Sequence, residues 1–186
     1  ALTVEESSTT GLVEQLRHNR LDVAFIRSPV GDATGIAIET MMVEKMIAAL
    51  PSSHPLVRNK RRKSVALTAL AEETFVLNRR PSGPGLYDTI IASCRAAGFS
   101  PRVEQETHKN LSTLSLVAAG LGISVVPASM RRVNLESVVY LNIDSAPGLN
   151  APLHLAYRNN EKSGAVHRFI ERTRAYPKQI KNHGDG

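Results

Sequence analysis

Two closely spaced glycines are the strongest hint of nucleotide chemistry in this chain. Gly120 and Gly122 stand in the segment AAGLGISVVP. A dinucleotide-binding loop needs a strand, then its glycines, then a helix whose amino end faces the phosphates. Here the helical pattern comes first, at 110–119, and the apolar strand pattern follows at 123–126. We therefore predict that these glycines end a helix before a strand and bind no phosphate.

Other side chains capable of chemistry form no catalytic or metal-binding pattern. The six histidines make no HxxxH pair and have no cysteine cluster beside them, so metal binding has weak support. Ser115 and Ser129 lie in no GxSxG motif. Cys94 lies on the inner stripe of a predicted helix, which favours a core role over a nucleophile. Glu5 and Glu6 would point to opposite faces of a strand. The residues indicate a binding domain and no enzyme, with no catalytic residue, metal or cofactor.

Charge is concentrated in one short run. The segment 58–63, RNKRRK, holds much of the excess of 23 basic over 17 acidic residues. No aromatic side chain is interleaved for base stacking, so we interpret the run as a solvated loop, with a nucleic-acid patch as the alternative. No helix has the character of a recognition helix, which predicts no sequence-specific DNA binding by this chain.

Length and composition set the class of protein. The 186 residues, 42% hydrophobic and 22% charged, suit one globular domain or two small lobes. A single cysteine excludes a disulfide within one chain and favours the cytoplasm. No apolar run approaches the roughly 18–20 residues of a membrane span. The chain begins with alanine and without a signal-peptide pattern, from which we expect a fragment of a longer protein.

Strands and helices are predicted to alternate, which favours an α/β fold with parallel strands. Apolar alternation and turn residues predict strands at 1–6, 20–27, two within 35–56, 74–78, 102–107, 123–126, 138–143 and 153–158. Helical spacing predicts helices from about residue 10, at 84–97, 110–119 and 163–176.

Several segments together resemble the effector-binding domain of LysR-type transcriptional regulators. They are LRHNRLDVAFIR, MIAALPSSHPL, CRAAGF and LSLVAAGLGISVVPASM, in family order across nearly the whole chain. The resemblance implies an α/β fold of two Rossmann-like lobes joined by a hinge, similar to type 2 periplasmic binding proteins. Lobe I would comprise 1–42 plus 144–186, and lobe II 43–143. Lobe I would be incomplete at its N-terminus, because the family's first strand and helix are missing.

The nearest subgroup resemblance is to regulators that respond to benzoate and muconate. It implies a small carboxylate effector, aromatic ones included, bound in a cleft between the lobes. The positions that match its ligand contacts are Thr9, Arg27, Pro81 and Ser82. Thr9 and Ser82 could instead cap helices, and Arg27 could be an exposed strand end. An arginine facing a cleft suits a carboxylate, because its planar fork donates to two oxygens.

The resemblance also implies partners. These are a second copy of the chain, in a dimer or tetramer of the intact protein, and promoter DNA through an N-terminal domain that is absent here. The resemblance also allows RNA polymerase as a partner, and it implies no binding to a membrane. The alternative is a solute-binding protein or an enzyme on the same two-lobed scaffold, because fold alone does not decide function.

Overall fold

The chain divides into two compact units. A computed structural model describes residues 2–27, 30–80, 85–144 and 146–181. The first unit comprises Ala1–Val43 and Pro152–Gly186, and the second comprises Glu44–Ala151. The helices are α1 Thr9–Arg17, α2 Leu86–Ala96, α3 Asn110–Ala118 and α4 Gly164–Lys181. The strands are β1 Val23–Ile26, β2 Ile36–Pro51, β3 Ser64–Ala66, β4 Thr74–Asn78, β5 Arg102–Thr107, β6 Ser124–Pro127, β7 Val138–Asp144 and β8 Asn150–Arg158.

The first unit packs α1 and α4 on strands β1, β8 and β2. Strand β8 lies between β1 and β2, and β1 runs antiparallel to it. Leu16 of α1 is fully buried in one cluster with Ala24 and Ile26 of β1. Helix α4 buries Ile170 against Leu155 of β8 in a separate cluster. The two helices thus bury separate apolar clusters of this unit.

A charged cluster holds α4 to β2 and β8. The guanidinium of Arg174 donates through Nε to Oε2 of Glu39 at 2.8 Å and through Nη2 to the Tyr157 hydroxyl at 3.0 Å. Tyr157 in turn donates to Glu39. The bonds from Arg174, and next the bond from Tyr157, lower the pKa of Glu39 to about 2. The same bond to Glu39 raises the pKa of Tyr157.

This cluster predicts a pH-dependent contribution to stability. The folded pKa of Glu39 lies below its ordinary value of 4.5. Its stabilisation is therefore complete above that value and is lost as the pH falls towards 2. Because the carboxylate is about one third exposed, we expect Glu39→Gln to lower the free energy of unfolding by only about 1 kcal/mol at pH 7. Urea unfolding at pH 7 and at about pH 3 measures this loss of stability, with Glu171→Gln on α4 as the control. Equal losses at both pH values would contradict the prediction.

The second unit is built on a mixed sheet with β2 near its centre. Strand β2 pairs antiparallel with β6 on one side and with β7 on the other, and β3 runs parallel to β7. Two backbone bonds of 2.8 Å, Val76 N to Ile123 O and Ile123 N to Thr74 O, join β4 to β6. Strand β5 lies parallel to β4 on its other side. The order is therefore β3-β7-β2-β6-β4-β5.

Helices α2 and α3 bury apolar side chains in two different clusters of this sheet. Ile90 and Cys94 of α2 share one cluster with Phe75. Leu114 and Val117 of α3 belong to the other. The predicted core role of Cys94 is confirmed, since its side chain is fully buried and burial raises its pKa to about 11.

Four predictions about the fold were wrong. Residues 2–6 form no strand, and Leu2 and Val4 are 79% and 82% exposed. An alternating segment becomes a strand only where another strand pairs with it. The two strands predicted within 35–56 are one continuous strand of 16 residues. The sheets are mixed and not wholly parallel. The continuous apolar run within 20–27 predicts a strand buried on both faces, yet Phe25 of β1 is 46% exposed.

Candidate functional site

A small cavity lies at the carboxyl end of β4 in the second unit. Its volume is about 20 Å³, and its lining comprises Met46, Asn78, Leu86, Tyr87, Ile90, Asn110, Thr113, Ser124, Val125, Val126 and Pro127. Open α/β sheets bind ligands at the carboxyl ends of their parallel strands, which is where this cavity lies. Space of this size holds about one water molecule. It therefore suits one polar group of a ligand and not a whole organic molecule.

Asn78, the last residue of β4, is the centre of a neutral hydrogen-bond network. Its Nδ2 donates to Oδ1 of Asn110 at 2.6 Å. Its Oδ1 accepts from the hydroxyls of Thr113 at 2.7 Å and Thr107 at 3.2 Å. The two threonine hydroxyls lie 2.6 Å apart. The network ties the ends of β4 and β5 to the first turns of α3, so that the polar groups beside the cavity are held in place.

The cavity also contains one buried hydroxyl without a described partner and adjoins the amino end of a helix. Ser124 is 1% exposed, and its Oγ has no hydrogen-bond partner among the described residues. Helix α3 begins after Lys109, which makes no side-chain capping bond. The first N–H groups of a helix lack intrahelical acceptors and carry a partial positive charge. A hydroxyl and a helix amino end together suit an oxygen-bearing group, such as a carboxylate or a carbonyl.

The network should contribute measurably to stability. We expect Thr113→Val to lower the free energy of unfolding by about 1–2 kcal/mol, because Asn78 and Thr107 both lose a buried partner. The matched control is Ser115→Ala on the same helix, where an exposed hydroxyl bonds only to the backbone of Leu111. That control should stay within about 0.5 kcal/mol of the parent in urea unfolding. Equal losses for the two variants would contradict the role of the network.

Two of the residues predicted as ligand contacts, Thr9 and Arg27, lie at the same end of the first unit. Thr9 is the first residue of α1, and Arg27 directly follows β1. Helix α1 is roughly 13 Å long, and β1 has about the same length. Arg158 donates to the carbonyl oxygens of Leu16 and Leu21, which places the end of α1 beside the start of β1. If β1 runs antiparallel to α1, Arg27 after β1 comes near the start of α1, where Thr9 lies. Both residues are half-buried.

The capping role considered for Thr9 was wrong. Ser8 caps α1, because its hydroxyl accepts from the backbone N–H of Gly11 at 3.2 Å. Helix α2 begins after Gly85, which is its N-cap. The N–H of Gly85 donates to the Asp88 carboxylate at 3.1 Å, and Arg80 donates to the same carboxylate at 2.8 Å. The predicted ligand contacts Pro81 and Ser82 themselves lie outside the described residues.

Sequence reasoning missed Asn78, Asn110 and Ser124. A signal existed for each of them. Asn78 ends an apolar strand at the edge where α/β proteins bind ligands. Asn110 opens a helix, and Ser124 interrupts the apolar run ISVVP. None of these signals is specific without the neighbours that folding supplies.

Comparison with known proteins gives one consistent result. The family model of the LysR substrate binding domain matches residues 1–177. AlsR of Bacillus subtilis (strain 168), an HTH-type transcriptional regulator, is 29% identical over 169 residues, which cover 91% of this chain and 54% of AlsR. BudR of Raoultella terrigena, also an HTH-type regulator, is 30% identical over 171 residues, which cover 92% of this chain and 58% of BudR. The chain thus spans about half the length of these relatives.

A solved structure shares the fold. It is the effector binding domain of BenM with its effector benzoate, at a TM-score of 0.79 and 28% identity. The match covers 98% of this chain and 80% of that one. BenM of Acinetobacter baylyi (strain ATCC 33305 / BD413 / ADP1) is also similar in sequence, with 30% identity over 169 residues, 91% of this chain and 55% of BenM.

Proposed function

Because the chain belongs to the LysR substrate-binding domain family, we propose that it senses a small organic acid for a bacterial transcriptional regulator. Family membership confirms the resemblance deduced from the sequence, and with it the α/β fold class of such effector-binding domains. The benzoate bound to BenM supports a carboxylate as the ligand class, because that domain resembles this chain over nearly its whole length.

The observation that carries the proposal is the cavity beside Asn78. It combines half-buried amides and a buried threonine hydroxyl with a Ser124 hydroxyl that has no partner among the described residues, at the sheet edge where this class of fold binds ligands. Burying a hydroxyl without a partner costs free energy, which a ligand oxygen would recover. The network carries no formal charge, so it contributes hydrogen bonds and no ion pair.

We propose, as the family resemblance predicts, that Arg27 of the first unit contacts the carboxylate of the ligand and that Thr9 is a neutral contact. Both are half-buried; Thr9 is the first residue of α1, and Arg27 directly follows β1. A helix amino end and a guanidinium both favour an anion. Pro81 and Ser82 remain ligand contacts that the family resemblance predicts.

Isothermal titration calorimetry tests the function directly. Benzoate and cis,cis-muconate are titrated into the chain, with benzamide as the uncharged match to benzoate. We expect saturable binding of at least one acid and none of the amide, because the proposed site selects a carboxylate. Binding of benzamide as tightly as benzoate, or no heat with any organic acid in a wider panel, would contradict the proposal.

The remaining roles of the intact protein follow as proposals. The relatives are named HTH-type regulators, so we propose that promoter DNA is bound through a helix-turn-helix region outside the matched part. Self-association and a cytoplasmic location are proposed on the same basis, together with the absence of enzyme activity. Contact with RNA polymerase stays a prediction. In the part of the chain that the structure describes, no helix is long and apolar enough to cross a membrane.

A further inference from the structure

The second unit presents a cluster of cations that the proposed effector site does not use. Arg58, Lys60, Arg61, Arg62 and Lys63 are all exposed in the connection before β3. Two bonds fold this connection into a turn: Arg62 N donates to Asn59 O at 2.9 Å, and Arg61 N donates to Asn59 Oδ1 at 3.0 Å. The loop expected from the sequence is therefore an ordered turn that presents a dense positive charge.

A second basic segment meets this turn through one asparagine. Arg131 and Arg132 are exposed at the end of the 3₁₀ turn Ala128–Arg132. Arg131 Nη2 donates to Oδ1 of Asn142 at 2.9 Å, and the backbone N of Asn142 donates to Lys63 O at 2.9 Å. Folding thus joins two segments that are distant in sequence. We call their seven cations the basic patch: Arg58, Lys60, Arg61, Arg62, Lys63, Arg131 and Arg132.

The basic patch is not neutralised by described acidic side chains. None of its seven cations forms an ion pair with a described carboxylate, whereas Arg80 and Arg102 pair with Asp88 and Glu104. The acidic residues nearest to it in the chain are Glu72, Glu73 and Glu136. Glu73 pairs with His54, and Glu44 accepts hydrogen bonds from Ser129, two residues before Arg131. Four carboxylates against seven cations still leave a positive surface.

We infer that the basic patch binds the phosphate backbone of duplex DNA and adds sequence-independent, salt-sensitive affinity. Five of its cations are arginines, whose planar fork matches phosphate oxygens. No aromatic residue is interleaved in either segment, which favours duplex over single-stranded nucleic acid. The choice of DNA over an acidic protein rests on the proposed function, since a tethered sensor domain meets nearby DNA at a high effective concentration.

The test is fluorescence anisotropy of a labelled random-sequence duplex at several salt concentrations. If about four phosphates are contacted, the affinity should fall roughly 100-fold between about 50 and 200 mM salt. The triple variant K60Q/R61Q/R62Q should bind at least about tenfold more weakly at low salt and reduce the slope against log salt by about 2–3. The double variant R131Q/R132Q should weaken binding too, because the second segment belongs to the same surface.

The matched control is K162Q/R168Q/R172Q, which removes the same charge from the exposed start of α4. It should bind DNA nearly as the parent does. Equal weakening of the triple variant and this control would overturn the proposal, since net charge alone would then explain binding. Tighter patch-dependent binding of polyglutamate than of DNA would also overturn it, in favour of an acidic protein. Benzoate is also titrated into the triple variant. If this variant loses DNA binding but binds benzoate normally, the loss is due to the basic patch and not to the proposed effector site.

Discussion

Replacing Gly122 by alanine is expected to destabilise the second unit by about 3–5 kcal/mol, a large part of the stability of a typical domain. Gly122 has a φ of 144°, which an L side chain rarely adopts. A Cβ there would lie 2.5 Å from the carbonyl oxygen of Thr74 and 3.2 Å from Cγ2 of Val76. The Thr74 oxygen accepts from Ile123 N in the pairing of β4 with β6. Because the obstacle is backbone, relief of the clash must separate these two strands.

Gly120→Ala is the matched control for this prediction. Gly120 also has a positive φ, of 78°, but nothing lies within 4 Å of a Cβ built there. Gly120→Ala should therefore lower the free energy of unfolding by only about 1–2 kcal/mol, which is the cost of placing an L side chain in the left-handed conformation. Urea unfolding followed by circular dichroism compares the two variants. Similar losses for both would show that the close approach to Thr74 does not constrain the strand.

The two glycines also show what the sequence could predict. Their order after a helical pattern and before an apolar run was enough to reject a phosphate loop, because helix stops are local features. The positive φ of Gly120 and of Gly98, after α2, agrees with that interpretation. The approach of Gly122 to Thr74 was not predictable, because it depends on which strand lies beside β6.

Pairing between distant segments explains the other errors in the fold. The apolar segment at 35–56 looked like two strands, yet β2 continues through both units because β8, β6 and β7 pair with different parts of it. Residues 2–6 have a strand pattern and no neighbouring strand in the described chain. Local alternation indicates which residues could form a strand, whereas the partners decide whether the strand forms.

The candidate site likewise includes residues that the sequence could predict and residues that it could not. Thr9 and Arg27 were predicted from a family resemblance, and the structure brings them to one end of the first unit. The hydrogen bonds that Asn78 makes with Asn110 and Thr113 join residues that lie far apart in sequence, so no local pattern predicts them. Four consecutive hydroxyl residues at 7–10, around the start of α1, made its cap ambiguous. The extended backbone of Ser8 decides it, with φ −65° and ψ 155°.

Arg27→Ala is expected to weaken binding of an organic acid by about 30-fold or more. A buried carboxylate that loses its charged partner costs roughly 2–5 kcal/mol, and each 1.4 kcal/mol is a factor of about ten in affinity. Arg27 is half-buried directly after β1, and a guanidinium donates to both oxygens of a carboxylate that it contacts. Folding should be preserved, because Arg27 lies outside the apolar cluster between α1 and β1.

Calorimetry with benzoate on three proteins decides the assignment. The control is Arg20→Ala, which removes the same charge from an exposed turn between α1 and β1. If Arg27 is the anchor, the control keeps the parent affinity and Arg27→Ala loses it. In an intact regulator the same change should abolish the response to inducer and leave promoter binding unchanged, because we propose that promoter DNA is bound by a helix-turn-helix region outside the matched part. If benzoate binds Arg27→Ala as tightly as the parent, the carboxylate is held by another group, and the amino end of α3 beside Ser124 becomes the site to test.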